Sequence, residues 1–390
     1  MIYLLIHLLV IGCVFYFDFR HVPCTRRSYK EFYILTYLVL AIVPGISYRL
    51  GVDIPSYMRE FDLLPPIGST SIERILDSSS REILWVLFGS ACKGIVDNFG
   101  FMHTVQALIF NGAIFYFVSQ HTKKRFIAIA FYFFGFWVHI NFGGLREGLA
   151  MVFFFLAMDQ YLKTGNLIKY ILIAIPALFF HKFSFIPILL TPFAFLLEKH
   201  KVASIVMVIG IYIFSSYIIE TVLPYMWRSE EDLLELAETR AEEEEFNIFG
   251  TLQNIIVRAT PPIVVLYLMG KIECRRHDNY ILLLYMCAFV GLISSFIPLL
   301  NRVYFYFLPV LAVCVGNLIE SQVYKRKKFR LHFSYLTFAF LWFAWIGIGN
   351  YIKPSALEYR SSVNYNAALL PYYTFFTEQE DPIREGLPRR

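Results

Sequence analysis

The sequence is poor in charge for its length. Asp, Glu, Lys and Arg make up 17% of the 390 residues, whereas hydrophobic residues make up 57% and the mean hydropathy is +0.56. A soluble globular domain carries about 25% charged residues. The composition therefore excludes a soluble protein. Apolar runs long enough to cross a bilayer recur along the chain, and they should be helical because lipid cannot satisfy backbone polar groups. We predict an all-α, polytopic integral membrane protein.

Other scarce features exclude further classes. The six cysteines show no CxxC-type spacing, so neither a zinc site nor any other metal site is expected. No strip of basic and aromatic residues indicates nucleic-acid binding. The absence of a convincing internal repeat weakens an inverted-repeat transporter without excluding it. The first apolar run lacks a basic start and a small-residue cleavage site, so we expect a retained helix rather than a signal peptide.

The apolar runs predict about twelve membrane crossings in a single domain over 1–390, with an outer interfacial helix over 82–96. That helix has apolar residues at helical spacing but is too short to cross. The predicted crossings lie near 1–17, 32–48, 101–119, 126–142, 144–162, 167–180, 183–197, 202–222, 252–269, 280–298, 302–319 and 332–350.

The distribution of basic residues predicts the orientation. Nineteen of the 35 Lys and Arg residues lie in alternate short loops, which we expect on the cytoplasmic side. Both termini are then extracytoplasmic. The net charge of +5 describes an inner surface facing anionic lipid.

Three segments are expected outside the membrane: the loops 50–100 and 223–251 and the tail 351–390. The second loop contains nine acidic residues between Glu230 and Glu245. They form either a solvated helix, or a lid or cation-attracting rim. The aromatic tail is expected to pack against the outer surface.

Charged and titratable groups gather at the predicted outer ends of the helices. Such groups are costly in lipid and are functional candidates by default. Four of these helices begin at the outer face, so their free N-terminal N–H groups point outward. Such N–H groups and arginine guanidinium groups together form a good binding site for an anion such as a phosphate. The six residues are Arg49, Asp53, Arg146, His181, Arg258 and Arg302.

Each of these residues also has a structural explanation. Arg49 and Arg302 could extend from helix ends into the interface. Arg258 could have a buried carboxylate partner, Arg146 could pair with the adjacent Glu147, and a histidine such as His181 is more often simply hydrogen-bonded at the interface. Four arginines on one side of a bundle favour a site over anchors.

Asp53 has two interpretations. Arg49, Asp53 and Tyr57 would share one face if the segment were helical, whereas Pro55 argues for a turn. Asp53 either pairs with an arginine or serves as a general base.

Several short stretches resemble the EpsG/Wzy-type polysaccharide polymerases of bacteria. The family often has Glu-Pro where this chain has Glu82-Ile83, and a residue such as Gln in place of Glu147. The matching stretches are 48–57 with Phe61, Glu82-Ile83-Leu84, 141–150 and 180–184.

The resemblance implies a GT-C-like glycosyltransferase in the bacterial inner (plasma) membrane. It would join polyprenyl-diphosphate-linked repeat units on the extracytoplasmic face into exopolysaccharide, capsule or O-antigen and release polyprenyl diphosphate, without metal or cofactor. Asp53 or His181 would be the base. Arginines would stabilise charge on the leaving diphosphate. The substrate-contacting residues are then Arg146, Arg258 and Arg302 at the diphosphate, Arg49 and Tyr57 at the entrance, and Glu82 and Glu147.

Two other functions share much of this chemistry. A transporter or flippase for lipid-linked oligosaccharide also needs basic groups for a diphosphate, but it needs them accessible from both sides. A ligase would hand the glycan to a different acceptor. Expected partners are the donor and acceptor glycolipids, the bilayer, and flippase and chain-length regulator proteins.

Overall fold

The structure is a computed structural model that describes residues 2–19, 25–51, 53–200, 202, 206, 209–210, 248–270, 278–295, 300–321, 330–352 and 372–376. Within these ranges the chain is helical and contains no β-strand, which confirms the all-α prediction. The chain forms two compact units. They comprise Met1–Ile188, Ala312–Gln322 and Phe343–Arg390 in the first unit, and Leu189–Leu311 and Val323–Trp342 in the second. A single domain over 1–390 stays a prediction.

Helices α1 to α11 follow one another through the N-terminal half. Two of them continue as π-helical turns, Val14–Phe19 after α1 and Phe133–Trp137 after α7. Short 3-10 segments, Ile175–Phe179 and Lys182–Ser184, separate α10 from α11. The helices are α1 (Ile2–Cys13), α2 (Arg26–Gly45), α3 (Ile54–Leu63), α4 (Ile72–Asp77), α5 (Ile83–Ile95), α6 (Phe99–His121), α7 (Arg125–Tyr132), α8 (Val138–Phe142), α9 (Leu145–Thr164), α10 (Leu167–Ala174) and α11 (Phe185–Lys199).

In the described part of the C-terminal half, five further helices have defined bounds. A π-helical stretch, Ile255–Ala259, connects the first two of them. They are α12 (Ile248–Asn254), α13 (Thr260–Met269), α14 (Asp278–Ile293), α15 (Asn301–Glu320) and α16 (Arg330–Ile352). Most of the predicted crossing 202–222 and nearly all of the acidic loop 223–251 lie outside the described residues.

Local sequence signals fix the ends of α9, the helix that carries Arg146. Two glycines precede it, and Gly144 is its N-terminal capping residue. The helix ends at Thr164, and Gly165 is its C-terminal capping residue. The φ of Gly165 is 65°, which is left-handed, and its N–H donates to the Tyr161 carbonyl over 2.7 Å. Glycine adopts this conformation at little cost, which is why helices commonly end on it.

The first unit has a core of aromatic side chains between packed helices. Helix α6 packs against both α2 and α9, and α10 packs against α9. Several buried polar side chains form hydrogen bonds within this core. Asn111 donates to the Asn141 side chain over 2.8 Å, and Tyr132 donates to Asn111 over 2.5 Å. Gln106 donates to the Leu145 carbonyl over 3.2 Å and so ties α6 to the start of α9.

Five helical segments in the described ranges are long and apolar enough to cross a membrane. Several further helices are apolar but shorter, which is consistent with a multi-pass protein. The count of twelve crossings and the interfacial location of α5 stay predictions. The five segments are Ile2–Phe19, Phe99–His121, Arg125–Phe142, Thr251–Met269 and Asn301–Glu320.

A short piece of the C-terminal tail, 372–376, lies against the end of α2. The Tyr48 N–H donates to the Tyr373 carbonyl over 3.0 Å, and the Phe375 N–H donates to the Ile46 carbonyl over 3.1 Å. An isolated antiparallel bridge between Ser47 and Thr374 lies between these bonds. The tail therefore holds the segment that leads from α2 towards Asp53.

Candidate active site

The segment before α3 is not helical, contrary to one of the two sequence interpretations. Helix α3 begins at Ile54, with Asp53 as its capping residue and Pro55 in its first turn, where proline is tolerated. Arg49 has a φ of 51°, which is left-handed and incompatible with a continuous helix. Arg49, Asp53 and Tyr57 therefore do not share one helical face. The half-buried Arg49 guanidinium lies 5.4 Å from the centre of the Tyr48 ring.

The segment before α3 lies directly against the turn before α9, because Gly51 approaches the backbone of Phe142. Gly51 has a φ of 107°, and a Cβ on it would lie 1.6 Å from the Phe142 carbonyl oxygen. The absence of a side chain is thus what permits this approach. Two residues on, an Asp53 carboxylate oxygen, Oδ2, lies 3.8 Å from the position that a Cβ on Gly143 would occupy. Asp53 is therefore next to the glycine turn that leads into α9.

The Glu82 carboxylate joins three segments of the chain. Its Oε2 accepts a hydrogen bond from Nη1 of Arg146 over 2.6 Å, and its Oε1 accepts one from the Lys182 backbone N–H over 3.3 Å. The His181 Nδ1 lies 4.0 Å from the same Oε1. Glu82 precedes α5, Arg146 lies in the first turn of α9, and His181 and Lys182 open the 3-10 turn before α11.

The environment of Glu82 favours its ionised form. Its side chain is only 14% exposed, and burial by itself raises the pKa of a carboxyl group. The positive charge of Arg146 and the hydrogen bonds from Arg146 and Lys182 outweigh burial, so the pKa of Glu82 is lowered. Glu82 is therefore an anion that orients Arg146, and it is poorly suited to take up a proton.

Tyr57 packs beside this ion pair. The Arg146 guanidinium lies 5.9 Å from the centre of the Tyr57 ring, within the range of a cation–π contact. The ring of Trp85 meets Tyr57 edge to face at 5.3 Å. Burial raises the pKa of Tyr57, although the Arg146 charge opposes the shift, so the hydroxyl stays protonated at neutral pH.

Glu147 is adjacent to Arg146 but is not its partner. Arg146 pairs with Glu82, so the local Arg146–Glu147 ion pair considered from the sequence is absent. Glu147 is 3% exposed and points back towards the turn, with Oε2 3.3 Å from the position of a Cβ on Gly144.

The other two predicted arginines belong to the second unit. Arg258 lies in the π-helical stretch Ile255–Ala259, and its Nη1 donates to the side-chain oxygen of Asn301. Among the described residues no carboxylate pairs with Arg258. Arg302 is exposed in the first turn of α15. The convergence of all the arginines on one anion therefore stays a prediction.

A second ion pair at this site, between Arg81 and Glu60, was not predicted from the sequence. Arg81, the residue before Glu82, donates to Glu60 Oε1 through Nη2 over 2.5 Å and through Nε over 3.0 Å. Glu60 lies three residues after Tyr57 in α3, so both face the same side of that helix. The sequence signals for this pair were that Arg81 is next to Glu82 and that Glu60 lies about one helical turn after Tyr57.

In the first unit, five predicted residues from four chain segments thus belong to or surround one half-buried arginine–carboxylate pair: Asp53, Tyr57, Glu82, Arg146 and His181. Together with the apolar helices, this arrangement defines a multi-pass membrane protein with a polar site at the ends of its helices. The chain matches the EpsG family over residues 30–361 and belongs to that family, which is the EpsG/Wzy-type polysaccharide polymerase family. Membership indicates a polysaccharide polymerase role. No curated protein and no solved structure matches the chain.

Proposed function

We propose that this protein is a GT-C-like glycosyltransferase of the bacterial plasma membrane. It joins polyprenyl-diphosphate-linked repeat units on the extracytoplasmic face into exopolysaccharide, capsule or O-antigen. The anomeric carbon of the donor glycan is attacked by a hydroxyl of the acceptor repeat unit. The bond to the diphosphate oxygen breaks, and polyprenyl diphosphate leaves with the bonding electron pair.

The arrangement of Arg146 is the observation that carries this proposal. Its Nη1 is fixed by Glu82, while its buried Nε has no hydrogen-bond partner in the described part of the chain. The first turn of α9 also presents backbone N–H groups that no helical carbonyl satisfies. An oriented guanidinium beside a helix N-terminus suits the oxygens of a departing diphosphate. Stabilising charge where it develops is commonly the largest contribution to such a reaction.

Asp53 is the better of the two candidates for the general base. Its side chain is half-buried at the start of α3, so a substrate hydroxyl can reach it. His181 is 7% exposed and lies 4.0 Å from the Glu82 carboxylate, which suits a residue that positions Glu82. In this proposal Asp53 accepts the proton of the attacking hydroxyl, which is required for an inverting displacement.

The remaining predicted residues have supporting roles in the proposal. Arg258 and Arg302 bind the diphosphate as it leaves, and Arg49 lies at the entrance. Glu147 shapes the turn that carries Arg146. Flippase and chain-length regulator proteins would supply donors and limit chain length.

Chain extension by the purified protein tests the proposal. Full-length protein is supplied with a defined lipid-linked repeat unit, and product length is measured. We expect long chains from the wild type and none from the Arg146→Ala variant. Asp53→Asn should lower the turnover rate far more than His181→Gln. Transfer of single repeat units to a different acceptor, without extension, would contradict polymerisation and favour a ligase.

A test in cells separates polymerisation from transport. In a strain that depends on this protein, Arg146→Ala should leave single lipid-linked repeat units on the outer face. Their accumulation on the cytoplasmic side would contradict the proposal and favour a flippase.

A further inference from the structure

The pair formed by Glu60 and Arg81 has the geometry of an oriented guanidinium. Arg81 uses Nη2 and Nε on one carboxylate oxygen, at 2.5 Å and 3.0 Å. The Ser56 hydroxyl, one turn earlier in α3, also lies 3.4 Å from this Glu60 oxygen. Two N–H···O contacts to one carboxylate fix the plane of the guanidinium far better than a single contact does.

This pair and the Glu82–Arg146 pair form a closed ring of contacts. Glu60 and Tyr57 lie on α3, and Glu60 binds Arg81. Arg81 is followed in the chain by Glu82, and Glu82 binds Arg146. Arg146 in turn lies over the ring of Tyr57. Burial raises the pKa of the Tyr57 hydroxyl, and the charges of both arginines oppose this shift.

Arg81 is the more accessible of the two arginines. Its side chain is 36% exposed, compared with 17% for Arg146. Its Nη1 group makes no hydrogen bond within the described residues, because Glu60 occupies only the Nε and Nη2 edge. A partly exposed ion pair formed only for stability contributes little to the free energy of unfolding. Ligand binding therefore explains better than stability why the Arg81 guanidinium is held in one orientation while its Nη1 group stays accessible.

We propose that Arg81 joins Arg146 in binding the diphosphate and that Glu60 is the positioning residue of Arg81. Arg146 takes the phosphoryl group next to the sugar, and Arg81 takes the one next to the lipid. This inference rests on the proposed function and adds that the site distinguishes a diphosphate from a monophosphate. Arginine suits this task because its planar N–H groups match phosphate oxygens.

Binding of two short lipid probes to the full-length protein tests the role of Arg81. The probes are farnesyl diphosphate and farnesyl monophosphate, which differ by one phosphoryl group. We expect the wild type to prefer the diphosphate by at least about 10-fold, because the second phosphoryl group adds charge-assisted hydrogen bonds to Arg81. Arg81→Ala should lose this preference while it binds the monophosphate as the wild type does. Unchanged monophosphate binding also shows that the variant is folded.

Further variants make the test specific. Arg81→Lys should recover part of the preference because it keeps the charge without the planar fork. Arg74→Ala is the matched control, since Arg74 is an exposed arginine of the same outer segment, and it should bind both probes as the wild type does. Arg81→Ala protein that still prefers the diphosphate would overturn the inference. Loss of the preference in Lys182→Ala instead, or its absence from the wild type, would also overturn it. The proposed function fails separately, if the wild type does not extend chains.

Discussion

Glu82 and Arg146 are 64 positions apart in the sequence, yet Oε2 of one lies 2.6 Å from Nη1 of the other. The pair joins the segment before α5 to the first turn of α9, and its side chains are 14% and 17% exposed. Removing either partner should be destabilising, because it would leave the other as an uncompensated charge with little access to water.

The two charges should be strongly coupled in stability. We expect Glu82→Gln and Arg146→Gln each to lower the free energy of unfolding, and the double variant to lose less than their sum by about 1–3 kcal/mol. Thermal or denaturant unfolding of the detergent-solubilised protein measures this coupling. The control cycle uses Arg27 and Glu31, whose side chains are 88% and 58% exposed, and it should give about 0.3–0.5 kcal/mol. Equal coupling in both cycles would contradict the structural role of the buried pair.

The stability that Glu82 contributes should depend on pH at the acidic end. Its pKa is lowered below the usual 4.5 in the folded protein, so the ionised form is favoured by folding. The contribution is therefore fully present above pH 4.5 and is lost as the pH falls through the lowered pKa. The melting temperatures of the wild type and Glu82→Gln should differ at pH 7 and converge as the pH falls through the lowered pKa of Glu82. A difference that stays constant as the pH falls would show that Glu82 acts by packing alone.

Gly51 should not tolerate a side chain. Gly51→Ala would place a Cβ 1.6 Å from the Phe142 carbonyl oxygen, so the start of α3 and the turn before α9 must separate. We expect loss of chain extension together with a lower melting temperature. Gly68→Ala is the matched control, because Gly68 also has a positive φ, 85°, but no atom lies within 4 Å of its Cβ position. That variant should lose only the cost of backbone strain, about 1–3 kcal/mol. Equal damage in both variants would contradict the importance of the close approach.

Asp18 should stabilise the start of α7 from outside that helix. Its Oδ2 accepts a hydrogen bond from the Ile127 backbone N–H over 2.8 Å, whereas the capping residue of α7, Lys124, provides no side-chain acceptor. We expect Asp18→Ala to cost about 0.5–2 kcal/mol of unfolding free energy, the usual range for losing a helix cap. Asp18→Asn keeps an acceptor oxygen and should cost less. Equal losses from the two substitutions would argue against capping.

The orientation of the chain is testable with reporter fusions. Fusions after Arg125 and after Lys328 should report a cytoplasmic location, because both follow clusters of basic residues. A fusion after Arg240, within the acidic loop, should report an extracytoplasmic location. The inverted pattern would place the candidate site on the cytoplasmic side and contradict extracytoplasmic polymerisation.

Much of the helical pattern could be predicted from the sequence. The expected interfacial segment 82–96 corresponds to helix Ile83–Ile95, and the crossing expected over 101–119 corresponds to Phe99–His121. The helices are predicted correctly, apart from the untested interfacial location of the first, because helix formation depends on local apolar spacing and on capping residues, such as Asn98 before α6. The segment before α3 was harder to predict, since a left-handed φ of 51° is uncommon for a residue other than glycine and no local sequence signal marks it at Arg49.

The sequence by itself determined that this is a helical membrane protein of the EpsG type, and it identified the glycine turn before Arg146 and the residues around it. Only the tertiary structure decided which charges meet: Arg146 binds distant Glu82 rather than adjacent Glu147, and Arg81 binds Glu60. The physical reason is the separation in sequence between the residues that interact. Helix formation depends on neighbours within a few positions, whereas an ion pair between distant residues depends on how whole helices pack.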